Sequence, residues 1–317
     1  MLNRRHLRIK VLQILYAFFQ SEEKDALKAE KELFKSIDKM YELYLYFLLS
    51  FEEIVTFAEQ RIEDRQNKIQ PSADDLSPNR KFVDNPIFTH FKQNISLRKS
   101  SEELKINWGG AVKNDLMRKL FVNITETEAF KEYLSSESGS FDDDKKFVLS
   151  LFKTEIANFG LLHDFFENES IYWLDDIDLI CSMVLKTIKS IDEKDDANKQ
   201  ILSLYKDEDD EREFVTKLVR ETLSNDQSNS ELIDELTQNW ELERIAKMDI
   251  ILLKMALTEL TDLPSIPKKV TLNEYIEISK FYSTPKSQVF INGILDKAVD
   301  ILEKDGKLKK AGRGLIN

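Results

Sequence analysis

The chain has 317 residues with only 8 Gly and 6 Pro, and it carries a formal net charge of −12. So few turn-forming residues, beside Leu, Ile, Lys and Glu at spacings of three and four, predict an almost entirely helical protein. No apolar run approaches the roughly 18 residues that a membrane-spanning helix requires, so we predict no such helix. The single cysteine, Cys181, cannot form an internal disulfide, and the N-terminus lacks a signal-peptide pattern, so we expect a cytoplasmic protein.

Helical spacing of apolar residues runs through most of the chain, beginning with a stripe of Leu7, Val11 and Leu15. Residues 69–79 and 135–140 are predicted to be loops, and residues 82–96, which contain Pro86, are predicted to be irregular. The pattern predicts helices over residues 4–20, 27–67, 112–122, 126–134, 141–159, 161–166, 174–191, 210–223, 230–239, 241–262, 272–282 and 286–304.

Two helix starts can be predicted near the C-terminus. Thr271 and Glu274 have the spacing of a capping box, in which each side chain accepts a hydrogen bond from the other residue's backbone amide. Thr284 followed by Pro285 predicts a second start, since a proline at the first helical position loses no hydrogen bond. We therefore interpret the conspicuous Asn273-Glu274 pair as helix-start chemistry rather than as a functional site.

Charge is unevenly distributed along the chain. Residues 1–12 contain Arg4, Arg5, Arg8 and Lys10 with no acid, and residues 303–317 contain five basic side chains against two acids. Acid is concentrated in the interior, as in residues 207–211. A basic surface formed by the two ends is compatible with phosphate binding despite the net negative charge.

Catalysis is the alternative class of function, and the sequence argues against it. The three histidines, His6, His90 and His163, have no partner at metal-ligand or general-base spacing, and no Gly-rich phosphate loop or nucleophile motif is present. Three aspartates, at 175, 176 and 178, lie at the onset of a predicted helix, where the helix dipole favours negative charge. We predict a protein that is not an enzyme and needs no metal or cofactor.

Several segments occur in an order that is typical of one family. Leu12-Gln13-Ile14-Leu15-Tyr16 follows the arginines, and residues 239–245, 252–260, 266–277 and 290–297 follow near the other end. Over about residues 1–25 and 210–302, the chain resembles the transcription antitermination factor NusB family. The resemblance implies an all-α fold, a NusB-like pair of helical bundles with a large additional helical insertion.

The implied organisation has four parts. Residues 1–25 form the first helix of the NusB-like domain, residues 26–208 the helical insertion, residues 209–304 the rest of the domain, and residues 305–317 a basic tail. We expect the insertion to fold around aromatic residues, namely Trp108, Phe165, Phe166, Tyr172 and Trp173. Its acidic surface makes direct RNA binding by the insertion improbable.

The resemblance also implies a function. NusB-like proteins bind the single-stranded boxA element of ribosomal RNA operon transcripts together with NusE, a ribosomal small-subunit protein. The assembly then joins the RNA polymerase antitermination complex. The family's RNA surface combines the first helix with the start of the last helix, which here gives Arg4, Arg5, Arg8, Gln13, Lys286, Ser287 and Phe290. The NusE-facing surface maps to Tyr16, Glu243 and Asp249.

Some alternatives stay open at this point. A scaffold with the NusB fold, whose insertion docks RNA polymerase or another factor, is the second hypothesis. A module preceding an rRNA cytosine methyltransferase is disfavoured, because no Rossmann segment follows residue 317. Gly293, inside the last helix, favours close helix approach, with room for an RNA backbone as the alternative. We expect the arginines to lie beside the start of the last helix; the sequence leaves monomer against homodimer open.

Overall fold

A computed structural model of the protein describes residues 2–137, 139–237 and 245–315, without the side chains of residues 313 and 314. These residues form fifteen α-helices and no β-strand, which confirms the all-α prediction. No described helix is both long and apolar enough to cross a membrane. The helices are α1 Arg4–Gln20, α2 Ala26–Gln66, α3 Ala73–Leu76, α4 Pro86–Gln93, α5 Ile95–Leu104, α6 Ala111–Glu126, α7 Glu128–Ser135, α8 Phe141–Leu151, α9 Gly160–Glu169, α10 Ile177–Ser190, α11 Glu208–Ser224, α12 Asp226–Leu236, α13 Lys247–Asp262, α14 Lys268–Tyr282 and α15 Ser287–Lys304.

The prediction that residues 82–96 are irregular is wrong, because Pro86 starts a helix. It occupies the first position of α4, where its missing amide hydrogen leaves no bond unmade, and the Asn85 side chain accepts from the Ile87 amide at 2.9 Å. Asn94 then ends α4 and begins α5, accepting from the Leu97 amide at 2.8 Å. One predicted loop, residues 69–79, contains the single turn α3.

Both predicted helix starts near the C-terminus are also wrong. Helix α14 begins at Lys268, so Thr271 lies within its first turn, buried, and donates its hydroxyl to Glu259 Oε1 at 2.8 Å. Helix α15 begins at Ser287 with Lys286 as its cap, not at Thr284. Thr284 instead donates its backbone amide to Ser287 Oγ at 3.2 Å. A hydrogen bond to another helix replaces the predicted cap at Thr271, and a turn replaces it at Thr284.

The described chain divides into two compact units. Unit 1 consists of Met1–Ile37 and Tyr205–Asn317, and unit 2 is the contiguous stretch Asp38–Leu204. The sequence-based boundaries at 26 and 208 differ from these, because the first turns of α2 belong to unit 1. There Glu30 accepts two hydrogen bonds from Arg220 at 2.7 and 2.9 Å, and Arg212 lies 4.1 Å from the Phe34 ring.

Unit 2 has an aromatic core. Tyr46 of α2 is in ring contact with four other aromatic residues, at centroid distances between 5.0 and 6.3 Å: Trp108, Phe165, Phe166 and Trp173. Both buried indoles are satisfied, since Trp108 donates to the Tyr46 carbonyl at 3.0 Å and Trp173 to the Lys39 carbonyl at 2.7 Å. Tyr172 is only half-buried.

Unit 1 is built around α13, whose residues from Ile251 to Leu260 are all buried. Seven of these ten side chains are apolar, as an enclosed helix requires, and the two charged ones, Lys254 and Glu259, form ion pairs with Asp226 and Arg8. Helix α1 runs antiparallel to α13: Arg8 contacts Glu259 near one end, and Gln20 accepts from Lys247 at 3.1 Å near the other. This packing fixes which residues of α1 reach solvent.

Candidate nucleic-acid interface

Arg8 is buried, with only 1% of its surface exposed. Its guanidinium donates through Nε and Nη2 to the two carboxylate oxygens of Glu259, both at 2.7 Å. Glu259 is fully buried and also accepts from the hydroxyls of Thr271, at 2.8 Å, and Tyr275, at 3.2 Å. Burial lowers the pKa of Arg8, but the charge of Glu259 and its hydrogen bonds outweigh this, so the pKa is raised overall.

Arg5 and Arg4 also contact carboxylates, but at the surface. Arg5 donates to both oxygens of Glu274 at 2.7 and 2.9 Å, and this hydrogen bonding raises the pKa of the Arg5 guanidinium. Arg4 donates to Asp210 at 2.7 Å and lies 4.9 Å from the centroid of the Phe214 ring. The three arginines are therefore fixed by three different helices, namely α13, α14 and α11.

Two of these arginines are well exposed to a ligand. Arg4 and Arg5 keep 34% and 39% of their side-chain surface exposed, whereas Arg8 keeps only 1%. Their carboxylate partners balance the local charge, so an incoming phosphate must share or replace a carboxylate contact. Guanidinium binds carboxylate and phosphate with the same two-pronged geometry, which makes such an exchange stereochemically simple.

An open pocket of about 610 Å³ lies beside these arginines. It is bounded by the first turns of α1 and by the connection between α13 and α14, and its lining includes Ser265, Ile266, Pro267 and Val270. Spacing alone did not assign these four residues to the site. Arg4, Arg5 and the nearly buried Arg8 line the pocket together with Glu274, so it combines cationic groups with an apolar wall.

The predicted residues at the start of α15 form a separate cluster. Ser287 is buried and donates its hydroxyl to Asp249 Oδ2 at 2.7 Å. Asp249 is buried too, and its Oδ1 has no hydrogen-bond partner among the described residues. Ser287, a predicted RNA contact, therefore binds Asp249, a predicted NusE contact. Lys286 is exposed and Phe290 is half-buried.

The two clusters are attached to opposite ends of α13. Glu259 holds Arg8, and Asp249 holds Ser287, ten residues earlier in the same helix. Ten residues at 1.5 Å each correspond to about 15 Å along the helix axis. The ion pairs of the three arginines are formed with α11, α13 and α14, and none of them is with the start of α15.

The remaining predicted residues are distributed along α1 and beyond it. Gln13 is half-buried, and Tyr16 is 39% exposed. Glu243 lies outside the described residues. Gly293 does not mediate close helix approach, and that prediction is wrong: a Cβ atom placed there would meet nothing within 4 Å. Within the described residues, no cluster of three or more His, Cys, Asp or Glu side chains could hold a metal ion.

Comparison with known proteins identifies the family. The model of the NusB family matches residues 180–300. Over 138 residues the chain is 43% identical to the transcription antitermination protein NusB of Salinibacter ruber, covering 42% of this chain and 86% of that protein. The chain belongs to the NusB family. No solved structure matches it.

Two further NusB proteins support this assignment over shorter stretches. The protein from Chloroherpeton thalassium is 41% identical over 106 residues, which cover 33% of this chain and 50% of the relative. The protein from Geotalea daltonii is 44% identical over 89 residues, covering 28% and 61% respectively. The family match begins within α10, earlier than residue 210, where the resemblance in the sequence was expected to resume.

Proposed function

We propose that this NusB-family chain is a transcription antitermination factor that acts by binding single-stranded RNA. The observation that supports this most strongly is the 43% identity to a transcription antitermination protein over 86% of that protein's length. The RNA we propose is the boxA-like element of ribosomal RNA operon transcripts. NusE is the proposed protein partner, and the RNA polymerase antitermination complex is the proposed destination.

Arg4 and Arg5 are the proposed phosphate contacts at the first helix. Both are exposed and held in place, and guanidinium groups that are already ordered lose little side-chain entropy on binding. Arg8 acts indirectly: its buried bond to Glu259 fixes α1 against α13, so it is a positioning residue. Gln13 lies on α1, five residues after Arg8, and is proposed as a weaker RNA contact.

At the start of α15, Lys286 and Phe290 are the proposed RNA contacts. Ser287 and Asp249 are buried and bind each other, so we propose that they fix the turn before α15. Because Asp249 is buried, we propose that it supports this surface and does not contact NusE directly. Tyr16 and Glu243 remain the proposed NusE contacts.

Salt dependence of RNA binding tests the proposed function. Replacing both Arg4 and Arg5 with Gln should weaken binding of a boxA-like RNA and reduce the slope of log affinity against log salt by about 1.4, since each lost phosphate contact removes about 0.7 for a single strand. Fluorescence anisotropy at several salt concentrations measures both quantities.

The matched control is the double variant Arg80→Gln, Arg118→Gln in unit 2. Arg80 is exposed and donates twice to Asp84, as Arg5 does to Glu274, and Arg118 is exposed and paired with Asp115. This control should bind RNA like the unmodified protein. Equal loss in both double variants would show that only the overall charge matters, and the proposed site would be rejected.

A protein-interaction scaffold is the second candidate function. It is favoured by one observation, that residues 38–179 of unit 2 lie outside the range matched by the family model. A scaffold would bind NusE or RNA polymerase without any salt-sensitive affinity for RNA. The same titration, repeated with and without NusE, distinguishes the two functions.

A further inference from the structure

Phe281, in the last turn of α14, is an unusually exposed aromatic residue. Its relative exposure is 80%, and among the described residues only one other Phe, Tyr or Trp, Tyr16, is classed as exposed. The chain has 20 Phe in total. Burial of a phenylalanine ring is strongly favourable, so this position is at odds with the rest of the protein. Exposure alone does not make a site, but the surroundings of Phe281 are informative.

Phe281 shares a face of α14 with the residue that binds Arg5. Positions 270, 274, 277 and 281 follow the spacing i, i+4, i+7 and i+11, which places them in one row along a helix. Val270 and Glu274 line the arginine pocket. Phe281 comes seven residues after Glu274, so about 10 Å along the helix axis separates them.

The segment that contains Phe281 differs in charge from the rest of the chain. Residues 278–295 include Lys280 and Lys286 and no acid, in a chain with a net charge of −12. The nearest acid on the same face, Glu277, forms an ion pair with Lys280. An anionic partner is therefore a better match for this surface than a basic one.

The turn that follows Phe281 is well ordered by hydroxyl groups. Ser287 Oγ lies 3.0 Å from Ser283 Oγ and 2.8 Å from Thr284 Oγ1, and it donates to the buried Asp249. These bonds tie the end of α14 to the start of α15. Lys286 and the exposed Val289 follow Phe281 by five and eight residues. The hydrogen bonds order the connection on which Lys286 lies.

We propose that Phe281 stacks against an unpaired base of the bound RNA, and that the RNA strand follows the outward face of α14 from Arg4 and Arg5 to Lys286. This inference rests on the proposed function and adds a residue to it. It also explains how two clusters about 15 Å apart along α13 can serve one strand. Aromatic rings are common platforms for bases in single-strand recognition, because every base presents a flat face.

The test uses the full chain and a dodecamer of unpaired, boxA-like RNA. Phe281→Ala should reduce affinity by about 5- to 150-fold, the range for loss of one stacked base, and leave the salt slope unchanged. Phe281→Trp should bind at least as tightly as the unmodified protein. Lys286→Gln should instead lower the salt slope by about 0.7, because it removes a phosphate contact.

Two controls separate stacking from general effects. Ile69→Ala removes a fully exposed apolar side chain from unit 2 and should bind RNA normally. A fluorescent base analogue moved along the RNA should be quenched at one position, and Phe281→Ala should abolish that quenching while leaving other positions unaffected. Circular dichroism should be unchanged in all variants, since the residues replaced are exposed.

Three outcomes would overturn the inference. If Phe281→Ala binds RNA normally while the Arg4 and Arg5 double variant does not, the strand does not cross α14, although the proposed function stands. If Phe281→Ala loses binding to NusE but not to RNA, the ring belongs to a protein interface. If the unmodified protein does not bind RNA, the proposed function fails and the inference fails with it.

Discussion

The buried pair of Arg8 and Glu259 shows how differently arginines in one short segment can be used. Arg4 and Arg5 keep about a third of their side-chain surface exposed, whereas Arg8 is buried and forms its ion pair with Glu259. An exposed ion pair contributes about 0–1 kcal/mol, because water already stabilises both charges. A buried pair that loses one member leaves the other without a counter-charge in the interior, which is much more costly.

We therefore expect Arg8→Ala to lower the free energy of unfolding by about 3–5 kcal/mol. The exposed counterpart Arg5→Ala should lower it by about 1 kcal/mol or less. Urea denaturation followed by far-ultraviolet circular dichroism measures both. Similar losses in the two variants would mean that Glu259 is reached by water after Arg8 is removed, contrary to the enclosed geometry.

Cys181 offers a second test at the scale of one residue. Burial, with a smaller effect of the Asp178 charge, raises the pKa of its thiol to about 12. At pH 8 only about one thiol in 10⁴ is then ionised, and the thiolate is the reactive form. We expect thiol reagents to label Cys181 very slowly in the folded protein and rapidly in urea. Equally rapid labelling in both states would contradict this environment.

At the scale of single elements, the start of α14 is determined by α13 rather than by its own sequence. Thr271 is the fourth residue of α14 and donates its hydroxyl hydrogen to Glu259. The carboxylate of Glu274 accepts a hydrogen bond from Arg5. The local pattern of Thr, Asn and Glu is the same as that of a capping box. Only the neighbouring helices, more than ten residues away in sequence, distinguish the two arrangements.

Thr271→Val tests this assignment of α14. It removes one of four donors from a buried carboxylate without changing side-chain shape, so we expect a loss of about 1–3 kcal/mol in the free energy of unfolding. Thr56 is the control, because its hydroxyl is exposed and bonds only to the Glu52 carbonyl within α2. Thr56→Val should be close to neutral. A neutral result for Thr271→Val would leave Glu259 satisfied without that hydroxyl.

Much of the helical architecture was predictable from local pattern, whereas the placement of polar residues was not. Helix α1 was predicted at its observed bounds, because an apolar stripe runs along it and no Gly or Pro interrupts it. The same stripe could have placed Arg8 inside, since it lies one turn before Leu12 and two before Leu15. Its partner Glu259 is 251 residues away, and no spacing rule identifies such a pair.

For the whole molecule, the sequence indicated a foldable middle segment, and the limits expected for it differ from the division into compact units. The resemblance to compact relatives defined the insertion by subtraction, at 26 and 208. The structural division falls at 38 and 204, because Glu30 and Phe34 on α2 contact Arg220 and Arg212 on α11. Contacts between distant segments decide such limits, and a single sequence does not reveal them.

The interrupted course of unit 1 has a consequence for synthesis on the ribosome. Leu7, Val11 and Leu15 of α1 are buried partly by α13, which is translated more than 230 residues later. At about 5–20 residues per second, this interval lasts roughly 10–50 s, during which unit 2 can already fold from contiguous chain. The apolar face of the nascent first helix therefore stays exposed until α13 has been synthesised. A chaperone that covers this face should raise the yield of native protein.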